Sequence, residues 1–202
     1  MVKTIKEQRR MNLFRKSLLG GEVHSKRIDG WEVSWESNGD YRHWCIQRRQ
    51  PDAPLILVVM LNPGKLSGDG RELASDSTLR VLRNVFAGTV FNHIVINLFD
   101  LAASKKESLL AQWSRRDPPE LVFHKLTSIN FSGIIFAYGD IEKREIVGPV
   151  ATNRIKKVKF IFERHPIIRT PLNKSGCPAH PLNWQRRSLI PEVLKELLNL
   201  SK

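Results

Sequence analysis

The stretch from Leu55 to Gly64 constrains the fold of this chain more than any other part of its sequence. It reads LILVVMLNPG, an aliphatic run that ends abruptly at Asn62-Pro63-Gly64. A short apolar run bounded by turn residues is typical of a strand buried on both faces of a sheet. Pro63 lacks an amide hydrogen and Gly64 tolerates positive φ, so we expect the strand to end there. Ligands of open α/β sheets bind at the carboxyl ends of the strands, which predicts Asn62 at the lip of a pocket. A buried strand with an ordinary turn is the simpler alternative.

Further apolar runs follow, with amphipathic segments between them. The predicted strands cover residues 94–99, 133–138 and 158–162, and the predicted helices cover residues 76–88, 104–131 and 188–200. Strands that alternate with helices form a parallel sheet with helices on both faces. The pattern predicts a three-layer α/β/α sandwich with a four-stranded parallel sheet over residues 51–202.

The first 50 residues have a different character. Residues 3–19 combine apolar side chains with six basic ones, which predicts a basic helix. Aromatic and polar residues then alternate on both sides of Asn38-Gly39, which predicts a β-hairpin. We interpret residues 1–50 as an extension, with the hairpin an appendage, of a single domain spanning residues 1–202.

The charge of the chain indicates an anionic partner. The formal net charge is +13, and two segments carry most of it. Residues 1–27 hold eight Lys and Arg against two acids, and residues 143–187 hold eleven against two. Nucleic acid is the first expectation for such blocks, an anionic lipid surface is the second, and a solubilising surface is the remaining alternative.

Several classes of protein are not supported by the sequence. No apolar run approaches the roughly 20 residues that span a bilayer, and the charged N-terminus does not resemble a signal peptide. Cys45 and Cys177 lie far apart, so we expect a cytoplasmic, reduced protein. Metal-binding spacing, a phosphate-binding loop and a dinucleotide fingerprint are missing, so we expect no metal and no cofactor.

Polar residues follow the predicted strands where each of them ends. They are Asn62, Asn97, Asp100, Tyr138, Asp140 and, after the last strand, His180. In a parallel sheet these side chains would converge on one edge. An asparagine can orient water or match a base edge, and a histidine can stabilise charge on a leaving group. The set favours cleavage of an N-glycosidic bond over phosphoryl transfer, and Asp69, Asp76 or Asp100 could supply a general base.

The order of motifs between Tyr41 and Trp184 resembles an uncharacterised bacterial and phage domain family. The motifs are Y-R-x-W, L-x-V-V-M-L-N-P, S-D-S-T-L-R, I-N-L-F, Y-G and K-S-G-C-P-A-H-P-L. Members of that family read approximately MLNPSTAD, DDPTIRR, VNLF, WG and TKDGHPRHPL. The resemblance to that family does not by itself indicate a function.

This layout is in turn similar to the uracil-DNA glycosylase superfamily. Asn62-Pro63-Gly64 resembles a motif of its mismatch-specific uracil/thymine branch, and Asn97 resembles the asparagine that reads uracil in the classical branch. His180-Pro181-Leu182 resembles the loop after the last strand of that branch. The resemblance implies a uracil-DNA glycosylase-like fold. It also implies that Asn62 positions water, Asn97 reads the base, His180 stabilises the leaving base and Leu182 wedges into the duplex.

We therefore expect a DNA glycosylase-like enzyme that flips a base from double-stranded DNA, with no obligate protein partner and no membrane. The expected catalytic residues are Asn62, Asp76 and His180; the substrate-binding residues are Pro63, Gly64, Asn97, Phe99 and Tyr138; and the DNA-binding residues are Lys174, Leu182, Asn183, Trp184, Arg186 and Arg187. Asn183 and Trp184 depart from the superfamily loop, which leaves the identity of the base open. The alternatives are a nucleoside or nucleotide N-glycosidase acting on small molecules and a non-catalytic DNA-binding module.

Overall fold

The computed structural model describes residues 14, 16–64, 73, 76–103, 109 and 120–200. Most of the helix predicted at residues 3–19 lies outside these residues. The Gly-rich segment 65–70, which contains Asp69, and most of residues 104–119 also lie outside them.

The described elements follow one another in a fixed order. The strands are β1 (Glu22–Ile28), β2 (Trp31–Asn38), β3 (Tyr41–Arg48), β4 (Leu55–Met60), β5 (Asn92–Asn97) and β6 (Gly133–Phe136). The helices are α1 (Ser77–Ala87), α2 (Glu120–Lys125), α3 (Gly148–Ile161), α4 (Pro181–Arg186) and α5 (Ile190–Asn199), with a 3₁₀ turn at Asp140–Lys143 before α3.

The strands form one six-stranded mixed sheet in the order β1-β2-β3-β5-β4-β6. The pairs β1–β2, β2–β3 and β3–β5 are antiparallel, whereas β4 is parallel to both β5 and β6. The predicted four-stranded parallel sheet in a three-layer sandwich is therefore wrong. Parallel pairing is confined to three strands, and most strand pairs are antiparallel.

The prediction of a strand at residues 158–162 is wrong, because this segment forms the end of α3 and the turn after it. Ala151, Ile155 and Val158 are buried at helical spacing, whereas Phe160 is exposed. A five-residue apolar run does not distinguish a strand from a helix, and here the buried face has helical period. The position beside β6 is taken instead by residues after α3: the amide of Ile134 donates to the carbonyl of Pro166 at 2.9 Å.

The hairpin is part of the sheet and not an appendage. β2 and β3 are joined at Asn38 and Tyr41, with Gly39 at a φ of 58°, and β3 then pairs with β5. Alternate positions along a half-buried hairpin indicate which face is apolar, but they do not indicate which strand lies alongside it. Pairing with β5 is long-range and was missed for that reason.

Helices cover the two faces of the sheet. Leu57 and Val59 of β4 contact the core that contains α2 and α3, while Ile56 and Val58 contact the core that contains α1, α4 and α5. Each such aliphatic side chain contributes about 1.5–3 kcal/mol when it is fully buried. The carboxyl ends of β4, β5 and β6 are thereby held side by side on a rigid layer. Within the described part of the chain, none of the helices is long and apolar enough to cross a membrane.

Candidate active site

The chain stays paired beyond the ends of the parallel strands, which brings the predicted strand-end residues to one edge. The amide of Leu98 donates to the carbonyl of Met60 at 2.8 Å, and the amide of Phe99 donates to Leu61 at 2.9 Å. On the other side of β4, the amide of Ala137 donates to Val59 at 2.8 Å. Asn62, Asn97 and Tyr138 therefore follow three adjacent strands at the same edge.

His180 reaches this edge beside β6. The amide of Gly139 donates to the carbonyl of Pro178 at 3.0 Å, and Gly139 has a φ of 74°, which turns the chain at the end of β6. A Cβ at Gly139 would lie 3.8 Å from the Cβ of His180. β4 lies between β5 and β6, so the end of β5, at Asn97, and the end of β6, beside His180, are about 10 Å apart.

A buried ion pair connects β3 to the start of α1. Arg42 Nη1 lies 3.4 Å from Asp76 Oδ2, and both side chains are almost completely buried. Asp76 is also the N-cap of α1, because its Oδ1 accepts from the amides of Thr78 and Leu79 at 3.0 Å. Asp76, which the sequence suggested as a catalytic residue, thus holds Arg42 and the first turn of α1 in place.

A histidine–carboxylate pair lies next to this ion pair. His43 Nδ1 is 2.7 Å from Asp100 Oδ2, and both side chains are buried. The amide of Arg42 also donates to the carbonyl of Asp100 at 2.8 Å, which fixes the segment after β5 against β3. When Nδ1 donates its hydrogen to the carboxylate, Nε2 is left as the atom that takes up and releases a proton. Among the described residues, His43 Nε2 has no hydrogen-bond partner.

A β-bulge places His43 at this position. Glu36 pairs with Trp44 and Ser37 pairs with Arg42, so His43 is an extra residue in β3. On its other side, β3 pairs with β5 at Cys45 and Val95, and the two chains meet again at Tyr41 and Leu101. Between these two points the strands are not paired, and residues 42–44 run alongside residues 96–100, which include Asn97.

Asn97 has a buried amide whose hydrogen-bonding groups are unused. It is 2% exposed, and neither its Oδ1 nor its Nδ2 has a partner in the part of the chain that the structure describes. A buried polar group left unpaired costs about 1–3 kcal/mol, and such groups are rare in folded proteins. Asn97 and His43, on neighbouring strands, thus contribute three buried polar atoms without partners, as residues of a binding site do.

We call the five residues Arg42, His43, Asp76, Asn97 and Asp100 the edge cluster. Cys45 lies beside it, and its charged neighbours include Arg42 and Asp76. Burial raises the pKa of the Cys45 thiol to about 12, so this thiol is neutral and is not a nucleophile. In the described ranges, His, Cys, Asp and Glu form no group of three or more that could hold a metal ion.

Asn62 connects the loops that follow β4 and β5. Its Nδ2 donates to the carbonyls of Pro63 and Ala103, both at 2.8 Å. The two amide hydrogens are thus used by the backbone and do not point to a water. Pro63 is buried and Gly64 is exposed; β4 ends before them, as predicted, and Gly64 has no positive φ.

His180 and the residues after it form the first turns of α4. His180 Nδ1 accepts from the amide of Leu182 at 3.3 Å, and Leu182 packs against the core that contains α1. Trp184 was expected to contact DNA, but it is completely buried in the same core and does not reach the surface. The indole has a larger apolar area than any other side chain of α4, and α4 turns it inward.

The remaining predicted DNA contacts differ in exposure. Asn183 is half-buried and its Nδ2 lies 3.4 Å from Asn173 Oδ1. Lys174, Arg186 and Arg187 are exposed, and Arg187 Nη1 donates to the carbonyl of Leu172 at 3.1 Å. These three cations are exposed in the segment that follows α3, on both sides of His180 in the sequence.

Phe99 and Tyr138, both predicted to bind substrate, are core residues. Phe99 lies under the guanidinium of Arg154, whose Cζ is 5.0 Å from the ring centroid. The hydroxyl of Tyr138 donates to Glu142 Oε1 at 2.7 Å. Burial, together with the nearby Glu142 carboxylate, raises the pKa of Tyr138 above its ordinary value, so its phenol stays neutral.

Arg42 and His43 are not among the site residues predicted from the sequence. These residues lie between Tyr41 and Trp44 in the predicted hairpin, where alternating aromatic residues indicated packing. The feature of the sequence that could have identified them is that two ionisable residues stand side by side in an otherwise aromatic strand. The bulge that turns both toward Asp76 and Asp100 has no sequence signature of its own.

A protein-family model described as "Protein of unknown function (DUF1643)" matches residues 41–182. The matched segment runs from the start of β3 into α4 and contains the whole edge cluster and His180. No curated protein matches the chain. Neither finding connects the chain to the uracil-DNA glycosylase superfamily.

Proposed function

Because this chain belongs to the DUF1643 family, whose function is unknown, we propose a function from the geometry of the edge cluster: hydrolysis of an N-glycosidic bond in DNA, with His43 as the proton-transfer group. The observation that carries the proposal is the buried His43–Asp100 pair, at 2.7 Å, together with the unpaired amide of Asn97 at the end of the neighbouring strand. The sequence left open whether Asp69, Asp76 or Asp100 supplies a general base; in this proposal His43 transfers the proton and Asp100 orients His43.

Asp100 orients the imidazole of His43 through the contact with Nδ1. A carboxylate on Nδ1 selects one tautomer and directs Nε2 toward the reacting group, as in other histidine–carboxylate pairs. The Arg42–Asp76 ion pair supports this arrangement, because it holds β3 against α1 next to His43. Arg42 and Asp76 are thus positioning residues.

Asn97 supplies recognition of the base. Its amide offers a donor and an acceptor side by side, which matches the paired acceptor and donor on the edge of a nucleobase. Hydrolysis breaks the bond between the base nitrogen and C1′ of the sugar. Water adds its hydroxyl to C1′, the base leaves with the proton given by His43, and the second proton of the water returns to His43.

The charge of the chain supports a nucleic-acid substrate over a free nucleoside. Residues 143–187 carry eleven Lys and Arg against two acids, and three of these cations, Lys174, Arg186 and Arg187, are exposed. The polar atoms of Asn97 and His43 are buried, so a base reaches them only with a local opening of the edge. Extrusion of one nucleotide from the stack fits a site of this depth.

The direct test is release of a base by the full chain. Duplexes that carry candidate damaged or modified bases are incubated with the protein and treated with alkali, which cuts at abasic sites. We expect His43→Gln and Asn97→Ala each to lower the rate by about 100-fold or more. His24→Gln, a half-buried histidine on β1, is the matched control and should keep the rate. Failure of the folded protein to cut every duplex contradicts the proposal.

The roles implied by the glycosylase resemblance are tested by the same assay. In that scheme, Asn62 positions water, His180 stabilises the leaving base and Leu182 is the wedge. If His180→Gln abolishes release and His43→Gln does not, the catalytic histidine is His180. We expect the reverse order, because His180 Nδ1 already accepts the amide of Leu182.

The burial of the edge cluster favours a second candidate, a non-catalytic DNA-binding module. Such a module would bind the duplexes equally well after His43→Gln and Asn97→Ala and would release no base. Binding and release are therefore measured on the same variants.

A further inference from the structure

The solvent-exposed side of α3 presents an aromatic ring among basic side chains. Phe160 is 75% exposed, more than any other large hydrophobic residue in the described part of the chain. The exposed residues around it follow helical spacing. They are Asn153, Lys156, Lys157, Phe160 and, in the turn after the helix, Arg164, and we call them the α3 surface.

This surface is strongly basic. Residues 143–169 contain seven exposed Lys and Arg, and the exposed acids in this range are Glu145 and Glu163. The buried side of the same helix, Ala151, Ile155 and Val158, contacts the sheet. Packing therefore explains the inward side of α3, and nothing in the core requires an exposed phenylalanine on the outward side.

An open cavity of about 440 Å³ continues the α3 surface toward the start of the helix. Its charged lining residues are the cations Lys143, Arg144 and Lys156 and the acids Glu142 and Glu145. Lys156 and Phe160 are one helical turn apart, about 6 Å along the axis. Cations that can bind phosphates and a ring that can stack on a base are thus side by side.

We propose that the α3 surface binds single-stranded nucleic acid, with phosphates on its cations and an unpaired base stacked on Phe160. Exposed aromatic rings in a basic groove hold successive bases by stacking, and they do so with little regard to sequence. A duplex keeps its bases stacked inward, whereas a single strand offers them. The site is separate from the edge cluster, because α1, whose N-cap belongs to that cluster, packs on the opposite face of the sheet. It does not depend on the proposed reaction.

The test is binding of a labelled oligothymidylate of about 12 nucleotides, measured by fluorescence anisotropy on the full chain. We expect Phe160→Ala to raise the Kd about tenfold, because it removes one stacked base, and Phe160→Trp to keep it. Lys156→Gln should lower the slope of log affinity against log salt by about 0.7. Lys195→Gln, an exposed lysine of α5 on the other face, is the matched control and should change neither value.

Each other outcome overturns the inference. The inference fails if the full chain does not bind oligothymidylate. It also fails if Phe160→Ala binds with the same affinity as the unmodified chain, or if Lys195→Gln loses as much affinity as Phe160→Ala. Loss of binding to phosphatidylserine vesicles in Phe160→Ala while oligonucleotide binding is unchanged also overturns it, and would assign the surface to a lipid. A chain that binds through Phe160 but releases no base keeps this inference and contradicts the hydrolase.

Discussion

Asn97 and Asn92 are buried to the same degree on the same strand, but their amides are in opposite states. Asn92 Oδ1 accepts from the amide of Arg49 at 2.8 Å, and its Nδ2 donates to the carbonyl of Gln50. Neither polar atom of Asn97 has a partner among the described residues. One asparagine holds the fold together, whereas the other lowers its stability and is retained, on our proposal, for a ligand.

This contrast predicts opposite effects of the same substitution. Leucine has the size and branching of asparagine without its polar atoms, so Asn97→Leu should raise the free energy of unfolding by about 1–3 kcal/mol. Asn92→Leu should lower it by a similar amount, since it leaves the amide of Arg49 and the carbonyl of Gln50 unpaired. Urea denaturation of both variants measures the difference. A loss of stability in Asn97→Leu equal to that in Asn92→Leu would mean that Asn97 has a structural role.

At the scale of elements, Glu36 of β2 connects the start of the chain to the hairpin. Within the described residues its carboxylate accepts from the hydroxyl of Ser17, the amides of Leu18, Leu19 and Gly21, and Nε1 of Trp44, at 2.6–2.9 Å. Burial alone would raise the pKa of Glu36, but these hydrogen bonds outweigh burial and lower the pKa below its ordinary value of 4.5.

We predict that Glu36→Gln lowers the free energy of unfolding by about 1–3 kcal/mol at neutral pH, because an amide replaces one accepting oxygen by a donor. The folded pKa is lowered, so the contribution of Glu36 is fully present above the unfolded value. It is lost as the pH falls through the folded value. The difference in stability between the two proteins, measured by denaturation from pH 7 to pH 3, should therefore become smaller toward the acid end. A difference that stays constant over this range would contradict the account.

The bulge in β3 and the pairing of β3 with β5 are the second feature at the scale of elements. They bring His43, near the start of the family match, to Asp100, 57 residues later. A helix predicted from its apolar period can be placed by its own residues, as α1 was through its cap at Asp76. The face on which His43 lies depends on a one-residue insertion in a strand and on a distant partner.

At the scale of the whole molecule, the family match begins at Tyr41, but the sheet begins at Glu22. Trp31, Val33 and Trp35 of β2 are buried in the core that contains α1. β1 and β2 also cover the edge of β3 that would otherwise be open to other chains. The strands β1 and β2, which lie outside the match, therefore complete the core and the sheet formed by the matched strands.

We predict that a chain shortened to residues 39–202 loses cooperative thermal unfolding, because three large side chains leave the core and β3 becomes an edge strand. Calorimetry of the shortened chain and of the full chain gives the comparison. Equal unfolding temperatures for residues 39–202 and the full chain would contradict the prediction.

Much of the central sheet could be predicted from the sequence, and its surroundings could not. Leu55–Met60 and Gly133–Phe136 are strands because their apolar runs are short and bounded by turn residues. The segment 158–162 has the same composition, but it continues a helix whose buried side is set by Ala151 and Ile155. The position of Asn97 at the edge could be predicted, because the ends of parallel strands meet there. The role of His43 could not, because its hairpin was interpreted as a packing element.

The central claim is that Asn97 and His43 together hold a base. A crystal structure of the full chain soaked with free nucleobases, uracil and modified pyrimidines among them, tests it most directly. We predict a base with its edge paired to both amide atoms of Asn97 and with a ring atom within about 3.2 Å of His43 Nε2. A base bound at saturating concentration elsewhere, or an edge cluster that stays without one, would contradict the account.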